Sequence, residues 1–122
     1  MMAAAVGSTV HPWYKGTHEW HVKGMAELET PIKYEDTGQG EVVYAPKILR
    51  LSGGKVGRVL WFSYWMATKR TKGKIKWGQG PPVLEEPVLL ELLKNGVREN
   101  LFTRSFLKKL HREIGTALGT EV

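Results

Sequence analysis

The spacing of apolar residues changes once along this 122-residue chain, close to residue 80. Before that point, residues 42–51 and 56–67 are rich in β-branched and aromatic side chains, and the turn Ser52-Gly53-Gly54-Lys55 between them predicts a hairpin. Residues 18–29 alternate between apolar and polar side chains, a period of two that is typical of a half-buried strand. Residues 74–77 begin another strand. We therefore expect an antiparallel meander of four to five strands.

The alternation in residues 18–29 predicts one apolar and one polar side. The apolar side holds Trp20, Val22, Ala26 and Leu28, and the polar side holds Glu19, His21, Lys23, Glu27 and Glu29. In the next long strand, Pro46 predicts a bulge or an edge position, because proline cannot donate to a central ladder.

Beyond residue 80 the apolar spacing becomes helical. Two acids followed by Pro87 favour a helix start, and Asn95-Gly96 is an expected stop signal. Asn100 or Thr103 can cap a second helix, whose apolar stripe should pack on the sheet or on a second subunit. The stripe consists of residues at every fourth position: Phe102, Phe106, Leu110, Ile114 and Leu118.

This order of elements predicts one α+β domain over residues 13–120, after a flexible N-terminal tail over residues 1–12. We expect both C-terminal helices to pack on one face of the antiparallel sheet. The first residues lack the features of a signal peptide, and no apolar run approaches the roughly 20 residues that cross a bilayer, so a cytoplasmic protein without a membrane partner is expected.

Positive charge is concentrated in the middle of the chain. The net charge is +6, and residues 42–84 hold nine lysines and arginines without a single acid. Residues 1–41 hold three basic and six acidic residues, and residues 85–122 hold six of each. A concentrated basic excess of this kind indicates a polyanionic partner.

Large side chains occupy both sides of the strand predicted over residues 56–67. Val59, Trp61 and Trp65 share one side, whereas Leu60, Phe62, Tyr64 and Met66 share the other. Only one side can lie under the helices, so the other should expose an aromatic surface beside the basic residues. Exposed aromatics beside cations favour binding of single-stranded nucleic acid, through base stacking and phosphate contacts. The candidate site comprises Arg50, Lys55, Arg58, Trp61, Tyr64, Trp65, Lys69, Arg70, Lys72, Lys74, Lys76 and Trp77.

Residues 55–93 resemble the positive cofactor four family of single-stranded-DNA-binding coactivators. The likeness lies in Tyr64-Trp65-Met66, followed by a polar basic turn, a short strand and a Leu-rich helix. It implies that Trp65 stacks on bases, that the loop lysines meet phosphate and that DNA is the preferred ligand. The family's arginine before this motif falls at Phe62, and its second stacking aromatic falls among Ser52, Gly53 and Gly54. The element order is also similar to that of the archaeal ThermoDBP proteins.

Catalytic and metal-binding patterns are weak in this sequence. The absence of cysteine excludes disulfides, thiol chemistry and cysteine-based zinc sites. His18 and His21 fall on opposite sides of a strand, and no motif supplies a third metal ligand, even with His11 nearby. We therefore expect a non-enzymatic protein without a metal or cofactor.

Three functions stay open at this point. The first is binding of single-stranded nucleic acid, DNA before RNA, by a protein that also forms a homodimer. The second is a small-ligand or enzymatic pocket between sheet and helices, with His18, His21 or Tyr44 inside. The third is a protein-interaction module that uses the aromatic strand or the Phe102-Phe106-Leu110 stripe. The aromatics could equally be the core of a sheet covered on both sides.

Overall fold

A computed structural model describes residues 6–12, 14–16, 19–53, 57–68, 72, 76–77 and 82–119. The strands within these residues are β1 (Thr9–Val10), β2 (Trp20–Glu27), β3 (Ile32–Asp36), β4 (Gly40–Gly53), β5 (Gly57–Ala67) and β6 (Lys76–Trp77). The helices are α1 (Glu86–Arg98) and α2 (Arg104–Leu118). All strand pairs are antiparallel, in the order β1-β2-β4-β5-β6, with β3 also paired to β4. The predicted α+β architecture, an antiparallel sheet followed by two helices, is confirmed.

The central strand is β4. One of its edges pairs with β5 along its length, from Val43 opposite Ala67 to Gly53 opposite Gly57. The other edge is shared, because β3 pairs with β4 up to Tyr44 and β2 pairs with it from Lys47 onward. Pro46 lies between these two pairings, where a missing N–H interrupts neither of them.

A β-bulge in β2 divides the apolar residues of that strand between two faces of the sheet. The pairing with β4 shifts register between Val22 and Gly24. Trp20 and Val22 therefore pack with Leu49, Leu51 and Trp65, on what we call the tryptophan face. Beyond the bulge, Ala26 packs on the opposite side, which we call the helix face. The prediction that all four apolar residues of this strand share one side is wrong, because the extra residue inverts the alternation.

The helix face is covered by α1 over β2 and the adjoining part of β4. Leu92 of α1 is fully buried against Ala26, Ile48 and Leu101. Two polar contacts fix the helix to the end of β2: the Asn95 side-chain amide donates to the Glu27 carbonyl at 2.7 Å, and the Glu91 carboxylate accepts from the Glu29 N–H at 3.0 Å.

The predicted end of α1 is wrong, because the helix continues through Gly96 to Arg98. Gly96 is buried and lies directly beneath the Phe102 ring, so this glycine provides space for packing and does not stop the helix. The predicted capping of α2 by Thr103 is confirmed: its hydroxyl accepts from the Phe106 N–H at 3.2 Å. Gly119 ends α2 in a left-handed conformation, with φ of 75°.

Two further expectations need correction. Val10 of β1 is buried in the core, so the folded part begins within the segment predicted to be a flexible tail. Of the two helices, α1 packs on the described strands, whereas α2 makes no close backbone contact with any of them or with α1. Among the described residues, neither helix combines the length and apolar character of a membrane span.

Candidate nucleic-acid interface

The part of the helix face that α1 leaves uncovered lies along β5. Alternate residues of this strand project there, and we call them the β5 strip: Arg58, Leu60, Phe62, Tyr64 and Met66. Leu60 is 39% exposed and Phe62 is 40% exposed, while Tyr64 and Met66 are half-buried. An uncovered aromatic surface is therefore present on this strand, but it lies on the same face as α1, whereas the prediction placed it on the opposite face.

The two tryptophans of β5 lie on the opposite, tryptophan face. Trp65 is only 3% exposed, and the Lys47 ammonium lies 4.1 Å from the centroid of its ring. Lys47 is itself buried and forms a 2.6 Å ion pair with Glu27. Burial beneath this cation leaves no space for a nucleic-acid base, so the stacking role that the family resemblance implies for Trp65 does not fit the structure.

Trp61 is half-buried against the same tryptophan-face cluster. Because Trp61 and Tyr64 are separated by an odd number of positions along β5, they project to opposite faces. The two residues were predicted to serve one site, but a single-stranded nucleic acid that lies on one face of the sheet cannot contact both.

A groove next to Tyr64 marks one end of the β5 strip. The Tyr64 ring packs at 4.9 Å, centroid to centroid, against Tyr44 of the neighbouring strand. The Tyr44 hydroxyl accepts from the Val83 N–H at 3.1 Å and donates to the Val83 carbonyl at 3.4 Å. Burial of this hydroxyl raises the pKa of Tyr44, although the hydrogen bond with Val83 acts in the opposite direction. Tyr34, which is 44% exposed, also lines the groove.

Two arginines lie at the opposite end of the β5 strip. Arg58 is exposed and lines a groove. Arg50, Val59, Phe102 and Phe106 line the same groove. The Arg50 Nη1 donates to the Asn100 carbonyl at 3.2 Å. The Arg50 Nε is buried and has no hydrogen-bond partner among the described residues. The guanidinium groups thus supply cationic donors where the apolar part of the strip ends.

The remaining predicted basic residues follow β5 in the chain, except Lys55, which precedes it. Lys72 is exposed, with φ of 55°. The backbone of β6 pairs with Trp65 and Met66, which places Lys76 and Trp77 at the end of β5 far from Arg58. At about 3.3 Å per residue, an 11-residue strand separates the two ends by roughly 33 Å. Lys55, Lys69, Arg70 and Lys74, and the side chains of Lys76 and Trp77, lie outside the described residues.

His21 and Tyr44, the two described residues of the proposed small-ligand pocket, do not converge. His21 is exposed on β2, where it lies 3.5 Å from the Thr9 hydroxyl, whereas Tyr44 lies in the groove near Val83. His18 lies outside the described residues. Within the part of the chain that the structure describes, no three His, Cys, Asp or Glu residues are grouped as metal ligands would be.

Comparison of the chain with protein-family models, curated proteins and solved structures found no match. The resemblance to the coactivator family therefore stays a prediction, and the candidate interface rests on its own geometry. The structure adds Leu60, Phe62 and Tyr34 to the candidate residues. The sequence signal for Leu60 and Phe62 was their alternation with Tyr64, which the tryptophan in the Tyr64-Trp65-Met66 motif obscured, whereas Tyr34 on β3 had no such signal.

Proposed function

We propose that this protein binds single-stranded nucleic acid along the β5 strip. The observation that carries the proposal is an uncovered sheet surface with Phe62 at its centre, Arg50 and Arg58 at one end and an acid-free basic segment following the other end. DNA is the preferred ligand to test first, because the resemblance to single-stranded-DNA-binding coactivators favours it over RNA. A second copy of the chain is the other partner that we propose, and the exposed stripe of α2 supports it.

Binding would consist of noncovalent contacts and would involve no chemical reaction. Bases stack on Phe62 and Tyr64, whose faces accept any base, while the arginines and the lysines after β5 neutralise phosphates. Each base stack on an aromatic side chain contributes about 1–3 kcal/mol. Phosphate contacts make the affinity fall steeply with salt and give it little dependence on base sequence.

The stacking role is tested with Phe62→Ala and a matched control on the other face, Tyr14→Ala. Tyr14 is 45% exposed and packs beside Trp20, so it offers a similar aromatic area away from the β5 strip. Titration of a fluorescent single strand of roughly 12 nucleotides measures both affinities. We expect Phe62→Ala to weaken binding by about 5- to 150-fold and Tyr14→Ala to leave it unchanged. The reverse pattern would place the ligand on the tryptophan face.

The phosphate contacts are tested by reversing charge. Arg58→Glu should weaken binding to all sequences alike and reduce the slope of log affinity against log salt by about 0.7 for each lost contact. Lys94→Glu, at an exposed position on α1, makes the same charge change away from the strip and is the control. Reversal of Lys69, Arg70 and Lys72 together should have a larger effect. Equal losses for Arg58→Glu and Lys94→Glu would indicate attraction by net charge alone, without a defined site.

A further inference from the structure

Most of α2 projects from the domain with its apolar side uncovered. Phe106 is 46% exposed, Leu110 39%, Ile114 48% and Leu118 73%. Among the described residues, the first turn of α2 contacts the domain, where the Phe106 ring lies 5.5 Å from that of Phe102, and Gly115 in the last turn is buried. These four side chains leave roughly 400 Å² of apolar surface in water, about the size of the largest apolar patch on a typical monomer, which is often a functional site.

The spacing of the apolar residues is that of a helix that packs on another helix. Leu107, Leu110, Ile114 and Ala117 follow one another at intervals of three, four and three residues, the repeat of a coiled-coil seam. Phe106 and Leu118 widen this seam on either side. We propose that α2 of one copy packs along this seam against α2 of a second copy, which makes the helix the interface of a homodimer.

Charge favours a second copy over an acidic protein partner of such a helix. The seam itself contains no charged residue, so two identical seams meet without repulsion and an acidic partner has nothing to pair with. Lys108 and Arg112 lie on the opposite side of α2, at the positions farthest from Leu110 and Ile114. Basic residues on the polar side of an amphipathic helix also suit an anionic membrane surface, so binding to phospholipid vesicles is a competing outcome that the experiment below must exclude.

The available area predicts a modest affinity. Two copies of the stripe would bury on the order of 800–1,000 Å², which lies below the 1,200 Å² at which stable interfaces begin. We therefore expect a dimer that forms at micromolar concentrations and dissociates on dilution. The Phe62 surface lies outside the seam, so the inference does not depend on nucleic-acid binding.

Sedimentation velocity over a dilution series tests the interface. The unaltered chain should change from dimer to monomer on dilution, Ile114→Asp should be monomeric throughout, and Arg112→Ala should behave like the unaltered chain. Circular dichroism at 222 nm checks that α2 is retained. The Ile114→Asp monomer should still bind single-stranded DNA through Phe62, so that failure of the dimer and failure of the nucleic-acid site are separate results.

Cross-linking provides a test that does not depend on how a charged substitution affects folding. Because the chain has no cysteine, Ile114→Cys introduces a single thiol. A short bis-maleimide should link two Ile114→Cys chains and should not link Arg112→Cys chains. Three results would overturn the proposal: a monomer at every concentration, cross-linking of Ile114→Cys to Leu60→Cys in mixed chains, or binding to anionic phospholipid vesicles by a chain that stays monomeric.

Discussion

Gly96→Ala is a substitution that sets helix propensity against packing. Glycine in a helix interior costs about 1 kcal/mol relative to alanine, so propensity alone predicts stabilisation. A methyl group at Gly96 would, however, lie 2.7 Å from Phe102 Cε2 and 3.1 Å from Phe102 Cζ. The half-buried Phe102 ring packs against the cluster of Leu92 and Leu101 and contacts Phe106, so moving it away from Gly96 disturbs these contacts.

Overpacking of this kind costs about 1–3 kcal/mol, which exceeds the gain in propensity. We expect Gly96→Ala to lower the free energy of unfolding by about 1 kcal/mol and the Tm by about 3–6 °C for a chain of this length. Urea unfolding followed by tryptophan fluorescence and circular dichroism measures the change. If overpacking against Phe102 is the cause, Phe102→Leu introduced together with Gly96→Ala should restore part of the lost free energy of unfolding.

Gly38→Ala is the matched control. A methyl group there meets nothing closer than the Asp36 carboxylate at 3.5 Å, so the free energy of unfolding should change by less than about 0.5 kcal/mol. If Gly96→Ala instead raised stability by about 1 kcal/mol, propensity would outweigh the contact with Phe102. Gly96 would then have no packing role.

Four further substitutions test polar contacts. Glu27→Gln leaves the buried Lys47 ammonium without its carboxylate and should cost about 1–2 kcal/mol, less than a fully buried pair because Glu27 is 45% exposed. Lys47→Met should be close to neutral in the same urea assay, since it removes the charge as well. The pKa of Tyr44 is higher in the folded state than in the unfolded state, so the free energy of unfolding should fall as the pH rises above about 10. Tyr44→Phe should reduce that fall, measured by urea unfolding at several pH values. Thr103→Ala removes the cap of α2 and should destabilise its first turn by about 1 kcal/mol, seen as faster amide exchange at Phe106.

The long hairpin of the sheet could be predicted from the sequence because its signals are local. The runs of β-branched residues on either side of residues 52–55 predict two strands. The alternation within β5 correctly places Tyr64 on the opposite side from Trp61 and Trp65. Which of the two sides stays uncovered depends on tertiary contacts: α1 covers the helix face over β2 and not over β5, while Lys47 and the Trp20 cluster cover Trp65 on the other face. The choice of Trp65 as a stacking residue therefore failed, since its burial depends on Lys47, 18 positions earlier in the chain.

Two glycines have structural roles that their sequence positions alone do not predict. Gly96 after Asn95 matches a helix stop signal, yet the helix continues because Phe102 needs a position without a side chain. Gly24 sits inside a regular alternation and accompanies the bulge in β2, for which an isolated glycine in a strand is a signal. A side chain at Gly24 would lie 3.2 Å from Leu101, so close packing of the helix face also favours glycine there.

The bulge in β2 links these local features to the proposed surfaces. By turning Ala26 to the helix face, it gives α1 an apolar site over β2, at one side of the sheet. Because α1 occupies that side, it does not reach Leu60 and Phe62 on β5, and these side chains stay exposed. The connection from α1 to α2 contains Phe102, which lines a groove with Leu60. The helix α2 therefore starts beside the exposed strip, and it makes no close backbone contact with the described strands. The two surfaces to which we assign nucleic acid and a second copy are thus adjacent at Phe106 but separately exposed, and each can be altered without changing the other.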